Sequence, residues 1–297
     1  MGRIVATMRS TIRPTILNMK VKASIIILDF FKSKRVCENV ESIQRQKVNF
    51  PFEIIVVDNS ANPLNAKKLD PLRKYPNVTV FINETNIGYI KGNNRGAQRA
   101  KGDYILIVNP DIIWKDQNVL QKLIDYMDKY PEIGVLGPKE INDGDGSIAM
   151  TVRRFPKLLT QICRRTVLRK LPFIRSIVAH DECSDLNYNM VQCVDWLQSS
   201  FWVTRHSLWN KLGGLDKKYF IFMSDPDYCF KCWNEGFEVV YYPDVTVFAD
   251  GIRASAGGIK EFFGKWILRQ HLKDSIKYRF SHIFRGNPRV EYFKNKS

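Results

Sequence analysis

No stretch of the 297 residues is a continuous apolar run long enough for a bilayer-spanning helix. The basic N-terminus, Met1 to Lys20, lacks the compact apolar centre of a secretory signal, and Met19 offers an alternative start. The six cysteines are scattered along a long chain, which fits reduced thiols and not a disulfide framework. Cys229 and Cys232 have zinc-ligand spacing, but no second pair accompanies them. The turn cluster from Asn142 to Ser147 lacks the later bidentate Glu of a calcium loop. These absences point to the cytoplasm. At 44% apolar residues, the length suits one large α/β domain or a domain with an appendage.

Acidic residues are missing from particular places. Residues 1–28 carry five basic residues and no acid, residues 147–180 carry eight and none, and residues 259–297 carry ten against three. These segments hold more than the whole net charge of +16, so the remainder is mildly acidic. Basic segments of this kind suit anionic lipid, a phosphorylated acceptor or nucleic acid. No recognised nucleic-acid module accompanies them.

What is present is an alternation. Ala23 to Leu28, Phe52 to Val57, Asn77 to Ile82 and Tyr104 to Val108 are short runs rich in β-branched residues, with helical stretches between them. That order predicts βαβ units and a parallel sheet. Each run leads to a polar group: Asp29, Asp58, Asn86 and, after Asn109-Pro110, Asp111. In open α/β sheets, ligands bind beyond the carboxyl ends of the strands. A carboxylate there can hold a hard divalent cation, which in turn holds a diphosphate. The stretch from Asn83 to Asp111 is central: a turn with Asn86 and Gly88, a short helix with small residues at Gly92, Gly96 and Ala100 on one face, then a strand ending at Asn109-Pro110-Asp111.

Further along, Val119 to Lys129 is an amphipathic helix, and residues 150–190 form a basic, partly helical excursion. Val194 to Val203 reads as one strand. Ser224 or Asp225 reads as the N-cap of a helix that Gly236 stops. Phe237 to Tyr242 and Val245 to Phe248 read as final strands, and residues 259–284 as a helix dense in aromatic and basic residues, a mix suited to a membrane interface.

In unbroken order from about Ala23 to Ser255, the strand end Asp58-Asn59-Ser60, the run N-I-G-Y-I-K-G-N-N-R-G, V-N-P-D at 108–111, G-G-L-D at 213–216 and F-M-S-D-P-D-Y-C at 222–229 resemble family 2 glycosyltransferases, bacterial rhamnosyltransferases among them. The resemblance implies a GT-A fold, with a mostly parallel sheet flanked by helices, over residues 21–258. Residues 1–20 are then an N-terminal extension and 259–297 a basic, amphipathic helical one. It implies an inverting transfer of a sugar, L-rhamnose from dTDP-rhamnose, from a nucleotide-diphosphate donor to a glycan or lipid-linked glycan in cell-surface polysaccharide synthesis, with Mg²⁺ or Mn²⁺. The place would be the cytoplasmic face of the cell membrane, peripheral on an anionic surface, with no nucleic-acid partner. Asp225 becomes the catalytic base, with Asp227 and Asp250 in reserve. Asp29, Asp58, Asn86, Gly88, Asn109, Asp111 and Arg253 become donor-binding, and Trp196, Gln198 and Ser199 face the acceptor. Asp111 and Asp250 become metal ligands, with Asn109 replacing the first acid of an Asp-x-Asp. The chain departs from the family at Ser224, where Glu is usual, at Phe30-Phe31, where Tyr-Asn is usual, and at Phe248-Ala249-Asp250, where His residues are usual. Two rivals remain: a catalytically inactive lipid- or polyanion-binding protein on the same fold, and a nucleotidyltransferase. The latter lacks its Gly-rich phosphate loop, since Asp29-Phe30-Phe31 stands after the first strand.

Overall fold

The computed structural model describes residues 20–155, 171–181, 183–250, 260–283 and 285–296. Strand β1 (Ala23–Asp29) is buried at every position, as a run of consecutive apolar residues requires when both sheet faces are covered. Helix α1 (Ser33–Gln44) returns the chain to β2 (Phe52–Asp58). The helix expected over Asn65 to Lys74 is instead a short α2 (Pro63–Lys67) and a separate 3₁₀ turn, Asp70–Lys74. Asn62 caps α2 by accepting from the Leu64 and Asn65 N–H groups, and Pro71 starts afresh after it. Then follow β3 (Val78–Ile82), α3 (Gly88–Ala97), β4 (Tyr104–Val108), α4 (Val119–Lys129), β5 (Ile133–Asn142), β6 (Ile148–Ala149) and β7 (Val152–Arg153).

After these come α5 (Pro172–Asp181), β8 (Gln192–Cys193), β9 (Trp196–Leu197), β10 (Phe201–Arg205), α6 (His206–Leu212), α7 (Ser224–Asn234), β11 (Glu238–Ala249), α8 (Lys260–His282) and α9 (Pro288–Lys296). The single strand expected from Val194 to Val203 is broken at Gln198–Ser200, so its two halves join different sheets. The two final strands are one, β11, with a register shift between Tyr242 and Thr246 around Pro243.

The main sheet runs β3-β2-β1-β4-β10-β5-β11-β8, with β6 paired to β5, while β7 and β9 form a separate ribbon. The longer ladders are parallel, and β10 runs antiparallel to both of its neighbours. This topology sets the site. Asp29 lies in register with Asp58, and Phe201 at the start of β10 lies opposite Val108 at the end of β4. The antiparallel strand therefore brings the loop before it, with Ser199, to the edge where the parallel strands end.

One core fills the side under α1 and α4, and a second fills the side under α3, α6 and α7. Helix α3 sits close on β1. A Cβ at Gly92 would lie 2.5 Å from the Leu28 side chain, and one at Gly96 2.6 Å from Ile26, which explains the small face of that helix. The C-terminal helices also pack on the body. Tyr278 of α8 belongs to the second core, Trp233 of α7 meets Tyr292 of α9 edge to face, and Arg289 pairs with Asp195 at 3.1 Å.

Candidate active site

The polar ends of β1 and β2 form the first cluster. Asp29 and Asp58 are both fully buried. Asp29 accepts the Lys32 N–H at 2.7 Å and the Asn65 side-chain amide at 2.7 Å. The same amide lies 3.2 Å from Asp58 Oδ1, which also accepts the Ser60 N–H. Asn65 therefore ties the two carboxylates together. Burial, with Asp58 beside it, raises the Asp29 carboxyl above its usual range, against the pull of the Asn65 and Lys32 bonds. Asp58 Oδ2 and the Ser60 hydroxyl are buried with no hydrogen-bond partner among the described residues. Buried polar atoms are normally satisfied, so two orphans at a strand end suit a ligand carrying donors.

Asn59 joins this cluster to the turn before α3. Its amide donates to Asn86 Oδ1 at 2.8 Å, and its oxygen accepts from the Asn83 side chain and the Ile87 N–H. Asn86 Oδ1 also accepts the Gly88 N–H. Gly88 has φ +84, and a Cβ there would lie 2.8 Å from the Phe220 ring, so this position excludes side chains twice over.

Asp111 and Asp250 form the second cluster. Burial raises the Asp111 carboxyl, Lys32 opposes the rise from 3.4 Å, and a hydrogen bond with the Asp250 carboxyl adds to it. Arg35 Nε lies 3.6 Å from Asp250. The backbone bridge between Ile113 and Phe248 is what brings the two acids together from distant parts of the chain. Among the described residues, no group of three or more His, Cys, Asp or Glu side chains could hold a metal ion. Two facing carboxylates nevertheless fit a magnesium-like ion, which takes one or two carboxylates and draws its other oxygens from substrate phosphate and water. Arg253 lies outside the described residues.

The third cluster surrounds a cavity of about 490 Å³ whose wall includes Tyr89, Asn109, Arg153, Trp196, Gln198, Ser199 and Asp225. Asp225 does not cap its helix. The residue before α7 is Met223, in left-handed backbone (φ +65), and no side chain caps the helix start. The Asp225 carboxylate instead accepts the Ser199 hydroxyl at 2.7 Å, the Ser199 N–H at 3.2 Å and the Ser224 hydroxyl at 3.1 Å. Burial raises its carboxyl, and these three bonds to the charged form hold it back. Tyr89, the second residue of α3, bonds to the Ser199 hydroxyl and carbonyl oxygens, both at 2.9 Å, so the donor-side turn and Asp225 share one network.

Asp227 sits apart from that wall, fully buried beside Lys218, Lys231 and the Tyr219 hydroxyl. Its surroundings do not suit the reserve base expected of it. Cys229 and Cys232 are buried free thiols within α7.

Of the sequence-derived residues, Asp29, Asp58, Asn86 and Gly88 thus meet around Asn59 and Asn65, while Asn109, Trp196, Gln198, Ser199 and Asp225 meet around the cavity. Asp111 and Asp250 meet each other. Asn65, Tyr89, Lys32 and Arg153 join these clusters from outside the sequence-derived set. Tyr89 follows Gly88 directly, within the run that carries the resemblance, whereas nothing local marks Asn65.

Comparison with known proteins bears on the fold and the family. Residues 24–183 match Glycosyl transferase family 2. The N-acetylglucosaminyl-diphospho-decaprenol L-rhamnosyltransferase of Mycobacterium tuberculosis is 26% identical over 208 residues, 66% of each chain, so the present chain spans just under two thirds of that relative. The rhamnosyltransferase WbbL of Escherichia coli is 27% identical over 202 residues, 66% of this chain and 67% of that one. Among solved structures, the mannosyltransferase PcManGT from Pyrobaculum calidifontis, in complex with GDP-Man and Mn²⁺, superposes with a TM-score of 0.59 at 15% identity, covering 93% of this chain and 69% of that one. Residues 1–349 of S. aureus TarS give 0.53 at 18% identity, covering 77% and 60%. The fold is of the GT-A type. With more than half of its length matched by the family, the chain belongs to glycosyl transferase family 2.

Proposed function

We propose that this protein transfers L-rhamnose, with inversion, from dTDP-L-rhamnose to a hydroxyl of a lipid-linked glycan in the synthesis of a bacterial surface polysaccharide. The observation that carries the reading is Asp225, held by Ser199 on the wall of a cavity it shares with Trp196, Gln198 and Asn109. An ionised carboxylate there can take the proton of an acceptor hydroxyl. The hydroxyl oxygen attacks the anomeric carbon, the bond from that carbon to the diphosphate oxygen breaks, and the nucleoside diphosphate leaves. Trp196 offers the acceptor an apolar face, and Gln198 a hydrogen-bonding one.

On the donor side, the orphaned Asp58 Oδ2 and Ser60 hydroxyl are suited to the base and ribose of the nucleotide. The Gly88 turn lets the chain pass close to the donor. Asp111 and Asp250 are the residues that would hold a divalent cation, Mg²⁺ or Mn²⁺, which supplies positive charge for the diphosphate when bound.

The enzyme would work at the cytoplasmic face of the membrane. Among the described residues, no helix is long and apolar enough to cross it. Helix α8 carries exposed Leu272, Ile276 and Phe280 four residues apart, continued by Ile283, with exposed Arg269 and Lys273 beside them. An apolar stripe with basic neighbours suits the headgroup level of an anionic bilayer.

The test is a thermal-shift screen of dTDP-, UDP- and GDP-sugars with Mg²⁺ or Mn²⁺, because a ligand bound only by the native state raises the melting temperature. A transfer assay then uses a short-chain polyprenyl-diphosphate-linked N-acetylglucosamine, a chemistry taken from the name of the mycobacterial relative. The expected result is stabilisation and turnover with dTDP-L-rhamnose, and loss of the stabilisation in Asp58→Asn. UDP-sugars stabilising and turning over while dTDP-L-rhamnose does neither would overturn the rhamnosyl assignment.

A further inference from the structure

Helix α8 touches the loop that leads into Asp225, and it does so through a buried carboxylate. Asp274 is fully buried. It accepts three consecutive backbone N–H groups: Phe220 at 3.3 Å to each oxygen, Ile221 at 3.2 Å and Phe222 at 3.1 Å. Gln270, one turn earlier, donates to the same carboxylate at 3.0 Å. Successive N–H groups turned to one side make a concavity that binds an anion, and here the anion is a side chain of the protein itself.

The loop is gripped from several directions. Phe220 O accepts the N–H groups of Tyr89 at 3.0 Å and Ile90 at 3.4 Å, which ties the loop to the first turn of α3. The Phe220 ring fills the space that the missing side chain of Gly88 leaves. Trp266 meets the Phe220 ring edge to face, the Phe222 ring packs on His271 with centroids 4.4 Å apart, and Lys277 donates to the Lys218 carbonyl at 2.5 Å. Ile221, Phe222 and Met223 then form part of the cavity wall, with Asp225 two residues beyond. Met223 sits in left-handed backbone (φ +65), a conformation that costs energy in a non-glycine residue and persists only when its surroundings hold it.

We infer that Asp274 is a positioning residue for catalysis. It fixes the 220–223 loop so that Asp225 and the acceptor wall keep their geometry relative to the donor-side turn at Gly88 and Tyr89. The inference rests on the reading of Asp225 as the base. It gives the C-terminal segment a part in the active site that its basic, aromatic composition does not announce. Helix α8 uses one face, with His271, Asp274 and Tyr278, for the body and leaves Leu272, Ile276 and Phe280 on the outside.

The test uses the full chain with dTDP-L-rhamnose and the same lipid-diphosphate acceptor. Asp274→Asn keeps the shape but places an NH₂ group among three N–H donors. Its expected effect is a fall in kcat of about 10- to 100-fold, the size that a misplaced catalytic group produces. Donor affinity should change by less than about threefold. Hydrogen exchange at the Phe220, Ile221 and Phe222 amides should accelerate selectively. Tyr278→Leu loosens the same helix in the core without touching the carboxylate. At a similar loss of melting temperature it should keep kcat within about threefold. Normal kcat in Asp274→Asn, or an equal loss in Tyr278→Leu, would overturn the inference. Asp225→Asn is measured alongside: if it turns over normally, the base assignment falls and this inference with it. If it is inactive while Asp274→Asn is normal, only this inference falls.

Discussion

The Ser199 hydroxyl donates to the Asp225 carboxylate at 2.7 Å, and the Ser199 N–H adds a second bond at 3.2 Å to the other oxygen. Asp225, at a helix start, is thus oriented by the loop before β10 and not by capping its own helix. Both bonds favour the ionised form, while burial disfavours it and raises the carboxyl overall. A base works only when deprotonated, so turnover should fall on acidification at a pH above the ordinary Asp range. Ser199→Ala removes the hydroxyl bond, raises the Asp225 carboxyl further and should move that acid limb upward by about one pH unit. Asp225→Asn should lower kcat by about 10²–10⁴ while donor affinity and melting temperature hold. A pH–rate profile of the three proteins checks both, and near-normal turnover in Asp225→Asn would remove the base.

Asp227 should behave quite differently. It is buried between Lys218 at 3.3 Å and Lys231 at 2.7 Å, and the Tyr219 hydroxyl donates to it at 3.1 Å. Asp227→Asn leaves two lysines facing a neutral amide. Both keep about a third of their surface in water, so the expected loss is about 1–3 kcal/mol, below the cost of a fully buried pair. Denaturant unfolding measures it. Turnover per folded molecule should stay near that of the unchanged protein, and a kcat loss as deep as that of Asp225→Asn would contradict the structural role.

Glu140 is a buried carboxyl that the proposed reaction does not use. It accepts the Ser200 hydroxyl at 2.5 Å, and burial, with Asp111 adding to it, pushes its pKa up to about 8 from an ordinary 4.5. Between those two values the folded chain holds a proton that the unfolded chain releases. This contribution therefore weakens the fold as pH rises from about 4.5 to about 8. The size is on the order of a few kcal/mol. Glu140→Gln stays neutral. Its unfolding free energy should match that of the unchanged protein near pH 4 and exceed it at pH 9. Parallel pH curves for the two proteins would show that Glu140 is not protonated in the fold.

The α8 stripe gives a membrane prediction. Phe280 is 77% exposed, and Leu272, Ile276 and Ile283 are also at the surface. Replacing Ile276 and Phe280 by Ser should reduce co-flotation with anionic liposomes by at least about tenfold, since each buried apolar side chain contributes about 1.5–3 kcal/mol. Turnover of a water-soluble acceptor should change little. An unchanged bound fraction would remove this face from the membrane contact.

Much of the fold was legible because its signals are local. Short apolar runs rich in β-branched residues at Ala23 to Leu28 and Tyr104 to Val108 read as strands covered on both faces, and the helices between them favour parallel neighbours. Polar groups at the ends of such strands necessarily share one edge, so Asp29 and Asp58 were readable as companions. The Asn86–Gly88 turn carries its conformation in its own residues. The break at Gln198–Ser200 was not readable, because the apolar pattern runs through it. Nor were the bonds from Ser199 to the Asp225 carboxylate, since spacing makes an acid at a helix start look like a cap.

The sequence by itself determined the α/β alternation, the strand ends and the family. Tertiary structure alone decided which distant groups meet: Asn65 between Asp29 and Asp58, Asp250 with Asp111 across the Ile113–Phe248 bridge, Ser199 on Asp225, and Asp274 under the 220–222 backbone. The division has a physical cause. Backbone conformation is set by neighbours along the chain, so periodicity and turn chemistry reveal it. A side-chain hydrogen bond between residues 26 or 54 positions apart depends on sheet order and helix packing, and no local pattern records either.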